Sequence, residues 1–304
     1  MQAFSPGGSF LFKINNLKNL KPATMKKPLT LGYSTCPNDT FIFYALAHRR
    51  IDCESLSFDI EMADVELLNQ AAHAGRLNVT KLSFAALGQI QDRYALLKSG
   101  AALGRGCGPL IVANPGTDLT KLADAPIALP GLGTTAYLLL CMFLGRRPNV
   151  APMVFDQIMP AIQNGRFQAG VIIHEGRFTF QDYGLICLQD LGQWWEEYTG
   201  LPIPLGGIAI QRSLPTTLAE TVEKIIEKSV RFALRHPEAP AEYIRDHAAE
   251  MDSQVIKRHI DLYVNRFSVN LGKEGKQAVE TLFRLARQQG AIPQSDSPLL
   301  AVPG

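Results

Sequence analysis

From Leu29 onward the sequence alternates short β-type apolar runs with longer segments of helical spacing, which confines it to α/β architectures with helices covering a mostly parallel sheet. The first series reads as strand 29–33, helix 40–49, strand 56–62, helix 64–74, strand 78–82, a helix from Ser83, and a Gly-rich strand region ending at Ala113. A second series follows Asn114-Pro-Gly: strand 126–129, helix 134–144, strand 153–155, helix 158–164 and strand 169–173. Residues 200–207 carry two prolines and two glycines within six positions and read as a connector, with 208–211 as one last strand. Helical spacing then runs over 216–235, 239–248, 252–263 and 273–289. Two series between two connectors predict two α/β lobes: residues 28–113 with 207–304, and 114–206 between them. A chain that crosses twice between lobes makes a hinged cleft, a common place for ligands.

The length of 304 residues agrees with two lobes, since a single core seldom grows past about 250–300 residues. No apolar run reaches the ~18–20 residues of a membrane span; the best, 137–144, has eight. Thirty basic and 28 acidic residues leave a charge of +2 with no dense Lys/Arg block, which disfavours nucleic acid and membrane as partners. Five cysteines, an odd number with no C-x-x-C, read as reduced thiols of a cytoplasmic protein. Residues 1–27 are Gly-, Asn- and Lys-rich without the apolar core of a secretory signal; they are expected to be a disordered extension outside the fold.

Three strand-to-helix turns carry unusual residues. In STCPNDT (34–40), Pro37, Asn38 and Asp39 are good capping and turn residues, so capping alone accounts for them as well as a site does. In TKLS (80–83), Ser83 suits a helix cap and Lys81 an anion. In PGLGTTA (130–136), glycines and threonines at a helix start offer N–H groups and hydroxyls to a carboxylate or phosphate. Gly131-x-Gly133-x-x-Ala136 also matches a dinucleotide fingerprint, with Asp156 about 20 residues on, although the lobe lacks a second mononucleotide-binding half. NAD therefore stays open on pattern alone.

Of six histidines, His48, His73, His236, His247 and His259 lie in or beside helices and read as surface or capping residues, without metal-ligand spacing. His174 differs: it follows the apolar strand 169–173, where α/β sheets place their ligand crevice, and suits a general base. Glu175 is expected on the opposite face of an extended chain, and Arg177 either holds a substrate carboxylate or pairs with Glu175. Trp194, Trp195 and Tyr198 read as packing near the lobe junction.

Taken together and in order, STCPNDTFIF (34–43), TKLS (80–83), ALGRG (102–106), TTAY (134–137), IIHEGRF (172–178) and DLGQWWE (190–196) resemble the 1,4-dihydroxy-6-naphthoate synthase family of the futalosine route to menaquinone, over about residues 28–300. The resemblance implies a two-lobed, type 2 periplasmic-binding-protein-like fold with a cleft between the lobes. It also implies a cytoplasmic carbon–carbon lyase that converts cyclic dehypoxanthinylfutalosine to 1,4-dihydroxy-6-naphthoate and dihydroxyacetone, with neither redox cofactor nor metal. Under it His174 is the proton-abstracting base, and Lys81, Leu82, Ser83, Thr134, Thr135, Ala136, Asn69 and Asn38 are substrate-binding candidates. One departure is Thr35, where the family's turn more often has proline. Two alternatives share the fold: a solute-binding protein without chemistry, and the chorismate dehydratase of the same route, which tends to have Gly-Asp where this chain has His174-Glu175.

Overall fold

The computed structural model describes residues 27–123, 125–248 and 252–303; the expected extension at 1–27 falls, but for Lys27, outside them. The first lobe opens with β1 (Leu29–Tyr33), α1 (Pro37–Ala47), β2 (Phe58–Met62), α2 (Val65–His73), β3 (Val79–Ser83), α3 (Phe84–Gln89), β4 (Tyr94–Leu96) and β5 (Ala102–Gly104). The second contains β6 (Leu110–Ala113), β7 (Ile127–Leu129), α4 (Thr135–Leu144), β8 (Val150–Pro152), α5 (Ile158–Gln163), β9 (Ala169–Ile172), α6 (Gly176–Thr179), β10 (Ile186–Asp190) and α7 (Leu191–Thr199). The chain returns through β11 (Ile203–Gln211) and ends in α8 (Thr216–Arg235), α9 (Ala241–His247), α10 (Ser253–Tyr263), α11 (Arg266–Val269) and α12 (Gly272–Gln288). Among the described residues no helix is long and apolar enough to cross a membrane.

The first sheet runs β2-β1-β3-β11, with β4 and β5 both pairing to β11; the second runs β10-β6-β9-β7-β8. Neither is mostly parallel, as the alternation had suggested. In the first, β1 pairs parallel with β2 and β3, but β11 is antiparallel to β3, β4 and β5. In the second, β7 is parallel to β8 and β9, whereas β6 is antiparallel to β9 and β10. The antiparallel members β6 and β11 are the crossing strands, which enter each sheet from the other lobe.

Those crossings also correct the expected lobe boundaries. Leu110–Ala113 belongs to the second sheet, not the first, and β11 joins the first sheet from Ile203, inside the supposed connector. The glycines of that segment serve close packing rather than a turn. A Cβ on Gly206 would lie 2.6 Å from the Leu82 carbonyl oxygen, and one on Gly207 would lie 2.6 Å from Leu96 Cδ1. The strand expected at 153–155 is displaced: Val150–Pro152 pairs with β7, while Phe155 begins a short 3₁₀ turn.

One buried apolar cluster spans both lobes, joining Leu82, Leu103 and Leu205 to Leu129, Val171 and Trp195. Helix α1 is buried on nearly every side because it packs under α8, where Ser229 Oγ donates to Ile42 O at 2.6 Å and accepts from Leu46 N at 3.2 Å. This contact ties the middle and the last turn of α1 to α8. Trp195 is fully buried and donates from Nε1 to Pro202 O at 3.2 Å; Trp194 stacks on Tyr198 and meets Phe143 edge-on, within the second lobe.

Because the obstacle at Gly206 is backbone, Gly206→Ala is expected to destabilise the protein by about 1–3 kcal/mol, read as a lower denaturation midpoint.

Candidate active site

The cleft between the lobes encloses a cavity of about 280 Å³. The first lobe contributes the turn before α1, the end of β3, and Tyr263; the second contributes the start of α4, Phe155, His174 and Glu175.

The turn before α1 is not a cap. Cys36 occupies the N-cap position without a side-chain cap bond. Asp39 instead turns inward, almost wholly buried, and meets Lys81 Nζ at 2.5 Å through Oδ1. Oδ1 also accepts from Asn38 Nδ2 at 2.8 Å, while Oδ2 accepts from Ser34 Oγ at 2.7 Å and Ser34 N at 3.2 Å. A buried ion pair is tolerable only when its remaining lone pairs are satisfied in this way. Asn38 carries the network further, accepting at Oδ1 from His259 Nε2 at 2.8 Å.

His174 sits just beyond β9 with φ +58°, a left-handed conformation uncommon for any residue with a side chain. Its backbone N–H donates to Tyr263 Oη at 3.3 Å, which helps hold the unusual backbone. The ring stacks on His259 at 5.3 Å and 11°, and meets Phe155 edge-on. Burial pushes its pKa down to about 4; Asp39 opposes that shift and Lys81 adds to it. The imidazole is therefore neutral near pH 7, with the lone pair a base needs. Its Nδ1 is buried and finds no hydrogen-bond partner among the described residues.

The left-handed residue also overturns the expected orientation of Glu175. Because the chain is not extended here, His174 and Glu175 both line the cavity, and Glu175 approaches His259 Nδ1 at 3.4 Å. Arg177 is spent elsewhere: it pairs with Asp190 at 2.8 Å and donates to the Gly106 and Gly108 carbonyls.

Lys81, Leu82, Ser83, Thr134, Thr135, Ala136, Asn38 and His174 all line the cavity. Asn69 does not; it lies behind the wall, accepting from Ser83 N at 3.0 Å and donating to Gly133 O at 3.3 Å across the lobes. The threonine hydroxyls are engaged within the protein. Thr134 Oγ1 accepts from Tyr137 N and donates to Gly131 O, while Thr135 Oγ1 accepts from Ala85 N and donates to Leu205 O. This turn thus presents to a ligand the N–H-rich start of α4. The glycines of the dinucleotide-like pattern make room for Glu66: a Cβ on Gly131 would lie 2.5 Å from its carboxyl carbon, and Gly133 N donates to Glu66 Oε1 at 3.2 Å.

His259 is the residue that sequence reasoning missed. Expected at the surface or at a cap, it is fully buried at the centre of the site. Its signal was positional: it shares the buried face of α10 with Ile256 and Tyr263, at spacings of three and four.

A family model described as menaquinone biosynthesis matches residues 29–288. The chain belongs to this family. A 1,4-dihydroxy-6-naphthoate synthase of Thermus thermophilus is 47% identical over 271 residues, 89% of this chain and 98% of the relative. A synthase of the same name from Streptomyces coelicolor is 43% identical over 285 residues, 90% and 98% of the two chains. Among solved structures, a protein of Archaeoglobus fulgidus superposes with a TM-score of 0.82 at 34% identity, covering 87% of this chain and 98% of that one. The alkanesulfonate-binding protein of Xanthomonas axonopodis superposes with a TM-score of 0.66 at 16% identity over 90% of this chain and 96% of its own, which establishes the periplasmic-binding-protein-like fold alone. This menaquinone-biosynthesis family member thus has the two-lobed fold, with its cavity where the lobes meet.

Removing one partner of the Asp39–Lys81 pair strands the other charge in the interior. Lys81→Met is expected to cost about 3–5 kcal/mol in a denaturant titration, and the double variant Lys81→Met/Asp39→Asn to recover part of it.

Proposed function

We propose that the protein is a 1,4-dihydroxy-6-naphthoate synthase: a carbon–carbon lyase that converts cyclic dehypoxanthinylfutalosine to 1,4-dihydroxy-6-naphthoate and dihydroxyacetone. The observation that carries this reading is the placement of His174, held by a left-handed backbone against the cavity between the lobes, where burial disfavours the charged form of its ring. The two curated relatives of that name span nearly the whole fold. His174 is the base that removes a proton from the sugar-derived part of the substrate. Electron flow then breaks a carbon–carbon bond, and aromatisation of the bicyclic product supplies driving force. Lys81, Leu82, Ser83 and Asn38 hold the substrate from the first lobe, and Thr134, Thr135 and Ala136 hold it from the second. Asn69 supports them indirectly, by fixing Ser83 and the Gly133 carbonyl. Holding the lobes closed keeps the substrate in reactive geometry and away from water. Five free cysteines, Cys107 among them with a thiol pushed up to about 12 by burial, fit a cytoplasmic location.

The experiment is incubation of purified protein with cyclic dehypoxanthinylfutalosine and mass detection of dihydroxynaphthoate, with His174→Asn as control. Asparagine tolerates the left-handed backbone, so the variant is expected to fold and bind substrate while kcat falls at least about 100-fold. Binding without product by the unaltered protein is what a solute-binding relative of this fold would give, and it would overturn the lyase reading.

The base works when unprotonated. With a pKa near 4, kcat/KM is expected to hold as pH falls from 7 to 5 and to drop only nearer 4. An acidic limb at 6.5 or above would rule out a buried neutral base. Linkage runs the same way: the unfolded imidazole protonates near 6.5 and the folded one only near 4, so stability present above pH 6.5 is lost as pH falls toward 4.

A further inference from the structure

A lyase that splits its substrate without water or any other reactant must return to its products every proton it removes. A base at His174 therefore requires an acid in the same cavity. Most protonated groups there are poorly suited. The Lys81 ammonium is locked onto Asp39. Burial pushes the Cys36 thiol and the Tyr263 phenol far up, so neither gives its proton readily. Asp64 and Asp156 are exposed at the mouth, and Asp64 is occupied in capping α2 through Glu66 N.

The contact between Glu175 and His259 is different, and its proton content follows from the hydrogen bonds around it. Asn38 Nδ2 donates to the Asp39 carboxylate, because the reverse orientation would set the Asn38 oxygen against that anion. Asn38 Oδ1 is therefore an acceptor, and His259 Nε2 must carry the proton donated to it at 2.8 Å. In the neutral ring Nδ1 is then a bare lone pair, fully buried and without a hydrogen-bond partner among the described residues. It faces Glu175 Oε1 at 3.4 Å. A lone pair and an ionised carboxylate would repel at that distance, whereas a proton on the carboxyl removes the repulsion and makes the contact attractive.

We infer that Glu175 and His259 share one proton across this contact, and that Glu175, which lines the cavity, is the general acid that protonates the departing three-carbon fragment. His259 is its positioning residue. His259 Nε2 already carries the ring's own proton toward Asn38 Oδ1, so the geometry assigns the shared proton to the carboxyl that faces Nδ1. The acid role rests on the lyase reading above; the shared proton does not. The steps balance when the proton comes from a sugar-derived carbon that stays with the bicyclic product. His174 takes that proton, and its bonding pair forms a new double bond in the ring. The carbon–carbon bond breaks with its electron pair moving to the departing fragment, and the Glu175 O–H proton passes to that fragment. The site is left with an imidazolium at His174 and a carboxylate at Glu175. Return of one proton from the first to the second, through a water admitted as product leaves, restores the starting state.

The test is made on the full chain, in two arms. Infrared difference spectra of the substrate-free protein against Glu175→Gln at pH 7 are expected to contain the C=O stretch of a protonated carboxylic acid. Its absence overturns the shared proton whether or not the protein is a lyase. The side-chain amide introduced by Glu175→Gln can still donate to His259 Nδ1, so this variant keeps the contact while losing the transferable proton. In turnover, kcat is expected to fall about 10²–10⁴-fold with little change in KM, and the basic limb of the kcat–pH profile to vanish. Glu175→Asp, which retracts the carboxyl from His259, is expected to keep a basic limb at a shifted position. The groups facing the pair, Cys36 and Asp39 from the turn and start of α1, Lys81 from β3, His174, and Tyr263 from α10, are unchanged in these variants. A Glu175→Gln enzyme within about threefold of the original kcat, or with the basic limb intact, overturns the acid assignment. Failure of the unaltered protein to form product counts against the lyase reading instead, and the infrared arm still decides the proton.

Discussion

Lys81 and Asp39 meet at 2.5 Å with both side chains nearly excluded from water, and the arrangement of the site depends on that contact. Two charges in a low-dielectric interior are costly unless every lone pair is used, so the pair recruits Ser34 and Asn38. Recruiting Asn38 fixes its amide, and the amide fixes the tautomer of His259. His259 in turn provides the stacking surface for His174 and the contact for Glu175. An apolar replacement of similar volume could preserve stability, but it would leave the orientations of Asn38 and His259 undetermined. The ion pair accordingly acts on this site chiefly by specifying geometry.

Closure of the lobes is written in polar contacts beside the cavity. Thr135 bonds to Leu205 and Ala85, Asn69 joins Ser83 to Gly133, and Glu66 accepts from Gly133. Behind them the apolar cluster is continuous from one lobe to the other. A similar architecture in the alkanesulfonate-binding protein serves ligand binding, which is why the fold says little about chemistry. The side chains lining the cleft make the difference: a buried neutral imidazole, and a carboxyl group in contact with a second imidazole.

Much of the architecture was legible because burial periodicity survives translation into structure. Strand Leu29–Tyr33 and helix Thr216–Arg235 fall at their expected limits, since each places its apolar residues on the face its neighbours cover. The crossing strands were not legible. β11 is rich in glycine and proline, which locally signal a turn, yet its glycines are required by the approach of Leu82 and Leu96 from distant parts of the chain. β6 reads locally as the end of the first lobe because its partners β9 and β10 lie further along the sequence.

The site divides in the same way. Local sequence determined that His174 follows an apolar strand, that Asn38 and Asp39 open a helix, and that TKLS closes a strand; these are properties of neighbours in the chain. Only the tertiary structure decided that Asp39 pairs with Lys81 rather than capping α1, that His259 stacks on His174, and that Glu175 faces the cavity. The physical reason is range. Periodicity and turn chemistry act over a few residues, whereas Asn38 and His259 are 221 positions apart, and the hydrogen bond between them exists only once the returning chain has packed α10 against α1.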